Sequence, residues 1–210
     1  RVERDTITYN AAALACEKGE QWVQALRLFC AMADGCVQRD TLTYNAVVIA
    51  VYNGQQWIQA VQMFRDMADS RVESSTVTHN VAVSACEKSG QWVCALQLVR
   101  DMADGRVERN TITYSALVSA FEKGTQWWQA LQLLLEMVVN HVERNTTACN
   151  AAISACGKGG QWWQALQLLT EMSDICIERD TITYNAAVSA CAKGGLSATA
   201  LMLLVEMAST

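Results

Sequence analysis

An internal repeat of 35 residues dominates this sequence. Six units begin with threonine at the same spacing, and no insertion or deletion disturbs their register; the first residues are Thr6, Thr41, Thr76, Thr111, Thr146 and Thr181. Such a period is typical of an array of one stacked supersecondary unit, because a single unit cannot bury its own hydrophobic face. We therefore predict one array with repeats at residues 6–40, 41–75, 76–110, 111–145 and 146–180, a truncated sixth repeat at 181–210, and the end of a preceding repeat at 1–5.

Each unit carries the pattern of two helices. In the first unit we expect helices from about Thr6 to Lys18 and from about Gln21 to Ala33, separated by a glycine-containing break. The residue before the first helix is a good N-cap in every unit; these residues are Asp5, Asp40, Ser75, Asn110, Asn145 and Asp180. Alanine fills one place on each helix in all six units, so the helices can pack closely. The prediction is an all-α fold, an α-solenoid of stacked helix-turn-helix repeats.

Composition narrows the functional classes. Hydrophobic residues make up 51% of the 210 residues and charged residues 18%, which suits a folded core. No apolar run approaches the roughly 18 residues that a membrane span needs, so we expect no membrane insertion. The net charge of −5 argues against a general polyanion binder. Nine scattered cysteines, mostly on apolar helix faces, indicate buried reduced thiols in a reducing compartment.

The residues do not predict catalysis. The two histidines, His79 and His141, lie at unrelated places in their units, and no C-x-x-C motif is present. Neither a phosphate-cradling glycine loop nor a Ser/His/Asp set is visible. We expect a protein that is not an enzyme and that needs no metal or cofactor.

One polar column points to a ligand. The fifth residue of the units lies on an inward-facing helix site and is asparagine in five units and serine in one; these residues are Asn10, Asn45, Asn80, Ser115, Asn150 and Asn185. Asparagine is disfavoured inside helices, and no local capping role explains it here. Its amide offers a donor and an acceptor that match the Watson–Crick edge of a pyrimidine, whereas the shorter Ser115 leaves room for a purine.

These units resemble the pentatricopeptide repeat. The first unit reads Thr-Ile-Thr-Tyr-Asn-Ala-Ala, then Lys-Gly, Gln-Ala-Leu and a trailing Asp, and the resemblance covers the whole chain. Tetratricopeptide repeats, with 34 residues and another pattern, fit less well. The sequence departs from the family where arginine replaces the usual proline before the trailing residue, as at Arg39 and Arg109, and where the fifth unit reads Thr147-Ala148-Cys149. We expect the arginines to lie on solvated linker surface.

The resemblance implies a right-handed superhelix that binds single-stranded RNA at one base per repeat. The fifth and the last residue of each repeat together would specify the base, and the last residues are Asp40, Ser75, Asn110, Asn145 and Asp180. Aliphatic side chains at the second place could sandwich the bases; they are Ile7, Leu42, Val77, Ile112 and Ile182. The family contacts phosphates through a place near the end of the first helix, occupied here by Lys18, Lys88, Lys123, Lys158 and Lys193.

By analogy with the family's pairing, repeats one to five would read 5′-U-C-Y-A-U-3′, where Y is C or U. The function implied is organellar RNA processing, stabilisation or translation, in a mitochondrion or plastid. Two simpler explanations remain open: N-capping accounts for the last residues, and compensation of the helix dipole accounts for the lysines. A second function also remains open, that of a protein-binding scaffold or an assembly subunit of a large organellar complex. Trp128 and Trp163 each follow directly after another tryptophan. They form either a half-buried stripe or a docking surface for a protein partner.

Overall fold

A computed structural model describes residues 5–209, which form twelve helices of 13 residues each and no strand. The helices are α1 (Thr6–Lys18), α2 (Trp22–Asp34), α3 (Thr41–Asn53), α4 (Trp57–Asp69), α5 (Thr76–Lys88), α6 (Trp92–Asp104), α7 (Thr111–Lys123), α8 (Trp127–Val139), α9 (Thr146–Lys158), α10 (Trp162–Asp174), α11 (Thr181–Lys193) and α12 (Ser197–Ser209). The predicted all-α fold is confirmed. Within this described part of the chain, each helix is too short to cross the apolar layer of a bilayer.

The chain divides into two compact units, Arg1–Glu108 and Arg109–Thr210. In unit 1 the helices pair as hairpins α1–α2, α3–α4 and α5–α6, the first helices α1, α3 and α5 pack in a row, and α2 and α4 pack on the next first helix. Unit 2 repeats this arrangement with α7 to α12. Each unit is thus a stack of three hairpins, as predicted for an α-solenoid. Of the preceding repeat predicted at residues 1–5, all but Asp5 lies outside the described residues.

Small side chains let neighbouring helices approach closely. The alanine column of the first helices is buried at Ala50, Ala85, Ala120, Ala155 and Ala190. In unit 2 an added Cβ at Gly157 of α9 would lie 3.0 Å from the Cβ of Ala190 in α11. The backbones of adjacent first helices therefore run nearly in contact, which brings the start of one first helix beside the first turn of the helix before it.

The first helices begin where the caps predict. Each N-cap side chain accepts the backbone N–H of the third helical residue, for example Asp40 from Thr43 at 2.9 Å and Asn145 from Ala148 at 2.9 Å. In α3, α5, α7 and α11 that third residue is a threonine whose hydroxyl accepts the backbone N–H of the cap residue in return. The second helices begin one residue later than predicted, at Trp22 in the first repeat, and Gln21 caps that helix without a side-chain hydrogen bond.

The arginine column does not form solvated linker surface, so that expectation is wrong. In unit 2 each arginine before a first helix makes an ion pair with a glutamate on the following second helix. The N···O distances are 2.7 Å for Arg109 and Glu136 and 2.8 Å for Arg179 and Glu206. In unit 1 the guanidinium of Arg39 stacks 4.5 Å from the ring centre of Phe29. In unit 2 the ion pairs hold each linker against the hairpin that follows it. In unit 1 Arg39 holds its linker against the preceding hairpin.

The break between the two helices of a repeat contains a residue with a left-handed backbone. In the first repeat Gly19 has a φ of −88°, and the left-handed residue is Glu20, with a φ of +54°. The turn is closed by a hydrogen bond of 2.9 Å from the Gln21 N–H to the Cys16 carbonyl. Glycine is needed at several of these caps for space, because a Cβ at Gly54 would lie 2.2 Å from Cδ1 of Trp22 in the preceding hairpin.

The left-handed place gives a test of backbone energetics. Thr125 occupies it with a φ of +56°, although it is β-branched, whereas Gly160 occupies the equivalent place one repeat later. We predict that Thr125→Gly raises the free energy of unfolding by about 1 kcal/mol and that Gly160→Thr lowers it by a similar amount. Apart from the chain neighbours, no atom lies within 4 Å of a Cβ added at Gly160, so the reverse change mainly tests the backbone conformation. Urea denaturation measures both, and equal unfolding free energies in the three proteins would refute the expectation.

Candidate nucleic-acid interface

The predicted base-specifying residues meet because adjacent first helices lie side by side. The fifth residue sits in the first turn and a half of one first helix, and the last residue caps the next first helix. In unit 1 the Asn10 Nδ2 donates to Asp40 Oδ1 at 3.1 Å and to Oδ2 at 3.0 Å. In unit 2 the Asn150 Nδ2 donates to Asp180 Oδ1 at 3.0 Å. Both predicted pairs are thus in direct contact.

Two further predicted pairs are also brought together, with different geometry. The Asn45 Nδ2 lies 3.5 Å from Ser75 Oγ, the long limit of a hydrogen bond. The Ser115 Oγ lies 3.0 Å from Asn145 Oδ1 and 2.7 Å from the Thr111 carbonyl. Because a hydroxyl has one proton, Ser115 donates to one of these acceptors at a time.

Asn80, Asn110 and Asn185 complete the set of base-specifying residues predicted from the sequence. Asn80 is buried in α5 of unit 1, and Asn110 caps α7 in unit 2, where its Oδ1 accepts the N–H groups of Ile112 and Thr113. Asn185 is exposed on α11. No last residue for the sixth repeat lies within this sequence.

A column of threonines was missed by the sequence reasoning. The third residue of a repeat donates its hydroxyl proton to the amide oxygen of the preceding repeat's asparagine, at 2.5 Å for Thr43 and Asn10 and at 2.6 Å for Thr183 and Asn150. Thr78 makes the same bond to Asn45. The asparagines therefore have a structural explanation that local capping alone does not reveal, since a neighbouring repeat satisfies the amide oxygen. A signal was present in the sequence. The fourth repeat has Ser115 in place of the asparagine, and the repeat that follows it has Ala148 in place of the threonine.

The carboxylates of two caps are held in the ionised form. Burial alone would raise the pKa of Asp40, but hydrogen bonds from the backbone and hydroxyl of Thr43, from Asn10 and from its own N–H outweigh that effect and lower the pKa. Asp180 behaves in the same way. Burial would raise its pKa, but hydrogen bonds from Thr183, from Asn150 and from the Ile182 N–H lower it. At neutral pH both groups are therefore acceptors only.

The predicted sandwich residues are exposed apolar side chains. Their relative exposure runs from 55% at Val77 to 77% at Ile7, although each lies within two places of a buried helix position. In unit 2 Ile182 lines an open groove of about 510 Å³ together with Asn150, Asp180 and Asn185. The first helices of this unit therefore share one face that carries both the polar pairs and an aliphatic side chain.

All five lysines of the chain belong to the predicted phosphate column, and all five are exposed in the last turn of a first helix. Carboxylates compete for some of them. The Lys158 Nζ lies 3.0 Å from Oε1 of Glu122, which also lines the groove of unit 2, and Lys88 lies 4.0 Å from Glu87. An incoming phosphate would have to displace Glu122 from Lys158.

The histidines and cysteines have no predicted functional role. Within residues 5–209, His, Cys, Asp and Glu form no group of three or more that could hold a metal ion. His79 packs edge-on against Phe64, with ring centres 4.8 Å apart, and burial lowers its pKa. All nine cysteines are free; burial raises the pKa of Cys156 to about 11, and the expectation of buried thiols fails at Cys30, Cys36 and Cys176, which are exposed.

Comparison with known proteins identifies the repeat. Residues 77–107, 147–177 and 182–209 match the family profile described as PPR repeat, and residues 97–159 match the profile described as pentatricopeptide repeat domain. Together these matches cover more than half of the chain. A search of curated protein sequences gives no significant match.

Solved structures share the fold at low sequence identity. The protein PPR10 in complex with an 18-nucleotide psaJ RNA element has a TM-score of 0.72 and 20% identity, over 99% of this chain and 34% of that chain. PPR10 from maize has a TM-score of 0.70 and 16% identity, over 98% and 34%. The PPR domain of Arabidopsis thaliana protein-only RNase P 1 in complex with tRNA has a TM-score of 0.73 and 15% identity, over 83% and 92%. The chain thus spans about a third of the length of the PPR10 structures.

The lowered pKa values of Asp40 and Asp180 predict how stability depends on acid. A depressed carboxyl pKa contributes stability that is complete above the ordinary value of about 3.9 and is lost as the pH falls through the folded-state pKa. We expect the wild type to exceed Asp40→Asn/Asp180→Asn in unfolding free energy at pH 5 and above, and we expect the difference to shrink as the pH falls below the ordinary value of about 3.9. Asparagine keeps the cap, as Asn110 and Asn145 show.

Urea denaturation from pH 7 to pH 2 measures this difference. The matched control is Asp69→Asn/Asp104→Asn, which removes two exposed carboxylates at the ends of α4 and α6. A difference between the wild type and the cap variant that stays constant over the whole range would contradict the expectation.

Proposed function

This chain belongs to the pentatricopeptide repeat family, and we propose that the face formed by its first helices binds single-stranded RNA at one base per repeat, with the preference 5′-U-C-Y-A-U-3′ for repeats one to five. The observation that carries this proposal is the direct contact between the fifth and last residues of a repeat, as between Asn10 and Asp40. Two polar groups from different helices are thereby presented side by side at regular intervals. PPR10 supports the proposal, since its structure includes an RNA element.

The hydrogen-bonding capacity of each pair suits a different base. Uracil presents an N–H beside a carbonyl, so it can donate to an ionised carboxylate such as Asp40 and accept from the second amide proton of Asn10. Cytosine presents an acceptor nitrogen at that place, which a carboxylate would repel and the hydroxyl of Ser75 can satisfy. At the fourth repeat the short Ser115 leaves space, and the amide of Asn145 can both donate to and accept from the edge of adenine.

The exposed aliphatic side chains explain how a base could be held without a specific hydrogen bond. Ile112 and Ile182 each expose more than 60% of their surface. Apolar surface on a binding face is stabilised when a flat base covers it. Stacking of this kind tolerates every base, so the paired polar groups would carry the selectivity.

The setting of this activity is also a proposal. Family resemblance supports an organellar location, in a mitochondrion or plastid, and a role in RNA processing, stability or translation. The residues support a binding role without catalysis. Affinity would come from the array and not from a reactive group.

A protein-binding scaffold is the second candidate, and one observation favours it. The second helices of unit 2 expose Trp128 by 55% and Trp163 by 62%, and Leu135 and Val139 are exposed on the same helix as Trp128. Exposed tryptophans of this kind are frequent anchors in protein interfaces. Because these side chains lie on second helices, protein binding there would not compete with the first-helix face.

Exchange of one cap residue tests the base reading. Asp40→Ser turns the first pair into a copy of Asn45 and Ser75, so we expect preference at the first base to change from U to C, on the order of tenfold in the ratio of Kd values. Fluorescence anisotropy with four oligonucleotides that differ only at this base measures the ratio. Asp69→Ser, at the exposed end of α4, is the control for the lost charge. Equal affinity of the wild type for matched and scrambled oligonucleotides would defeat the proposed function.

The lysine column predicts a salt dependence. Five phosphate contacts on a single strand give a slope of about −3.5 in a plot of log K against log salt concentration. We expect Lys193→Gln to reduce the magnitude of that slope by about 0.7, whereas Arg27→Gln, on the exposed face of the second helix α2, leaves it unchanged. Binding titrations at salt concentrations from about 50 to about 300 mM measure this slope. A slope near zero would show that the lysines do not contact RNA.

A further inference from the structure

We propose that the threonine at the third place of a repeat, as at Thr43, Thr78 and Thr183, is a positioning residue for base selection. Its hydroxyl fixes which way the amide of the preceding repeat's asparagine faces. This inference rests on the proposed RNA-binding function and adds a third residue to each reading pair. The threonine does not contact the base itself.

The hydroxyl has a defined hydrogen-bonding role at each of these junctions. Thr43, Thr78 and Thr183 are fully buried. Each hydroxyl oxygen accepts the backbone N–H of its cap residue, at 3.3 Å from Asp40, 3.4 Å from Ser75 and 3.1 Å from Asp180. Its single proton therefore remains for an acceptor. The Asn10 Oδ1 lies 2.5 Å from the Thr43 hydroxyl, nearer than Asp40 Oδ1 at 2.9 Å.

This bond determines the orientation of the amide. An asparagine side chain can rotate by half a turn about its last bond and so exchange its donor and acceptor. With its oxygen held by the threonine, the amide nitrogen faces the cap residue and the groove. A base at that place then meets N–H donors and not a carbonyl oxygen. The donor pattern presented to RNA therefore depends on a buried hydroxyl of the following repeat.

The junctions differ in how many groups restrain the amide. At Asn10 and Asn150 the neighbouring cap is a carboxylate, which only accepts and so also draws the amide nitrogen towards itself. At Asn45 the cap is Ser75, whose hydroxyl can donate or accept, and the N···O distance is 3.5 Å. Thr78 is thus the main restraint on Asn45, while Thr43 shares that role with Asp40.

One repeat supplies a natural exception. The fifth repeat has Ala148 at the third place, and the preceding repeat is the one with serine at the fifth place, Ser115. Ala148 is fully buried and has no hydroxyl, so an asparagine amide oxygen beside it would lose its donor. Ser115 instead donates to Thr111 or Asn145. The two departures occur together because the threonine and the asparagine act as a pair.

Removal of the hydroxyl at constant shape is the direct test. We expect Thr78→Val to reduce selectivity at the second base about tenfold while selectivity at the other four bases stays unchanged, and Thr43→Val to reduce selectivity at the first base by a smaller factor. Thr78→Ser keeps the hydroxyl and is expected to retain the wild-type preference. Anisotropy titrations with oligonucleotides varied at one base give the Kd ratios, and a thermal melt by circular dichroism confirms that each variant is folded.

The fourth repeat offers the reverse experiment. Ser115→Asn alone should weaken the preference for adenine without creating a preference for pyrimidines, because Ala148 leaves the new amide unoriented. Adding Ala148→Thr should establish a pyrimidine preference at that base. The double variant introduces the missing pair and does not depend on tolerance of a deleted hydrogen bond.

The outcomes separate the two proposals. A wild type that prefers no base would overturn the RNA-reading function and the threonine role with it. A wild type with clear preferences that folded Thr78→Val retains in full would overturn only the positioning role. An equal loss of affinity for all bases in Thr78→Val would also overturn it, since that result indicates a structural role alone.

Discussion

Close packing between neighbouring first helices underlies every feature of the candidate site. Alanines such as Ala155 and Ala190, and Gly157 in α9, remove the side-chain bulk that would hold these helices apart. Because the helices run side by side, the cap of one lies against the first turn of the other. Polar contacts such as that between Asn150 and Asp180 follow from this approach. A bulkier residue in the alanine column would separate the two halves of each pair.

A cap residue such as Asp180 combines two roles in one side chain. Asp180 accepts the Thr183 N–H through Oδ1, which satisfies the open end of α11, and the same carboxylate accepts the amide of Asn150. N-capping therefore does not compete with ligand recognition as an explanation of these residues, since one side chain can serve both. The hydrogen bonds that lower the pKa of Asp180 also keep it a pure acceptor, and under the proposed function this would restrict the bases that it could receive.

The sequence predicts the helices well because periodicity and capping are local. The first helix of the first repeat begins at Thr6 and ends at Lys18 as expected, and the second is displaced by one residue. Contacts between repeats are harder to predict from the sequence. The bond between Thr43 and Asn10 joins residues 33 positions apart, and its detection requires knowing that α1 and α3 touch. The requirement for glycine at Gly54 also depends on a contact between repeats, because a Cβ there would collide with Trp22 of the preceding hairpin.

The contact of each asparagine with the following hairpin redefines what one exchangeable module is. The group that would face a single nucleotide consists of Asn10, Asp40 and Thr43. This group spans the junction between two sequence repeats. A cassette cut at the start of a repeat, before Thr41, would carry Asp40 with Asn10 but leave Thr43 in the recipient array. Under the proposed function, such a cassette would keep its base preference only where the recipient repeat has a threonine at its third place, and Ala148 shows that a repeat can lack it.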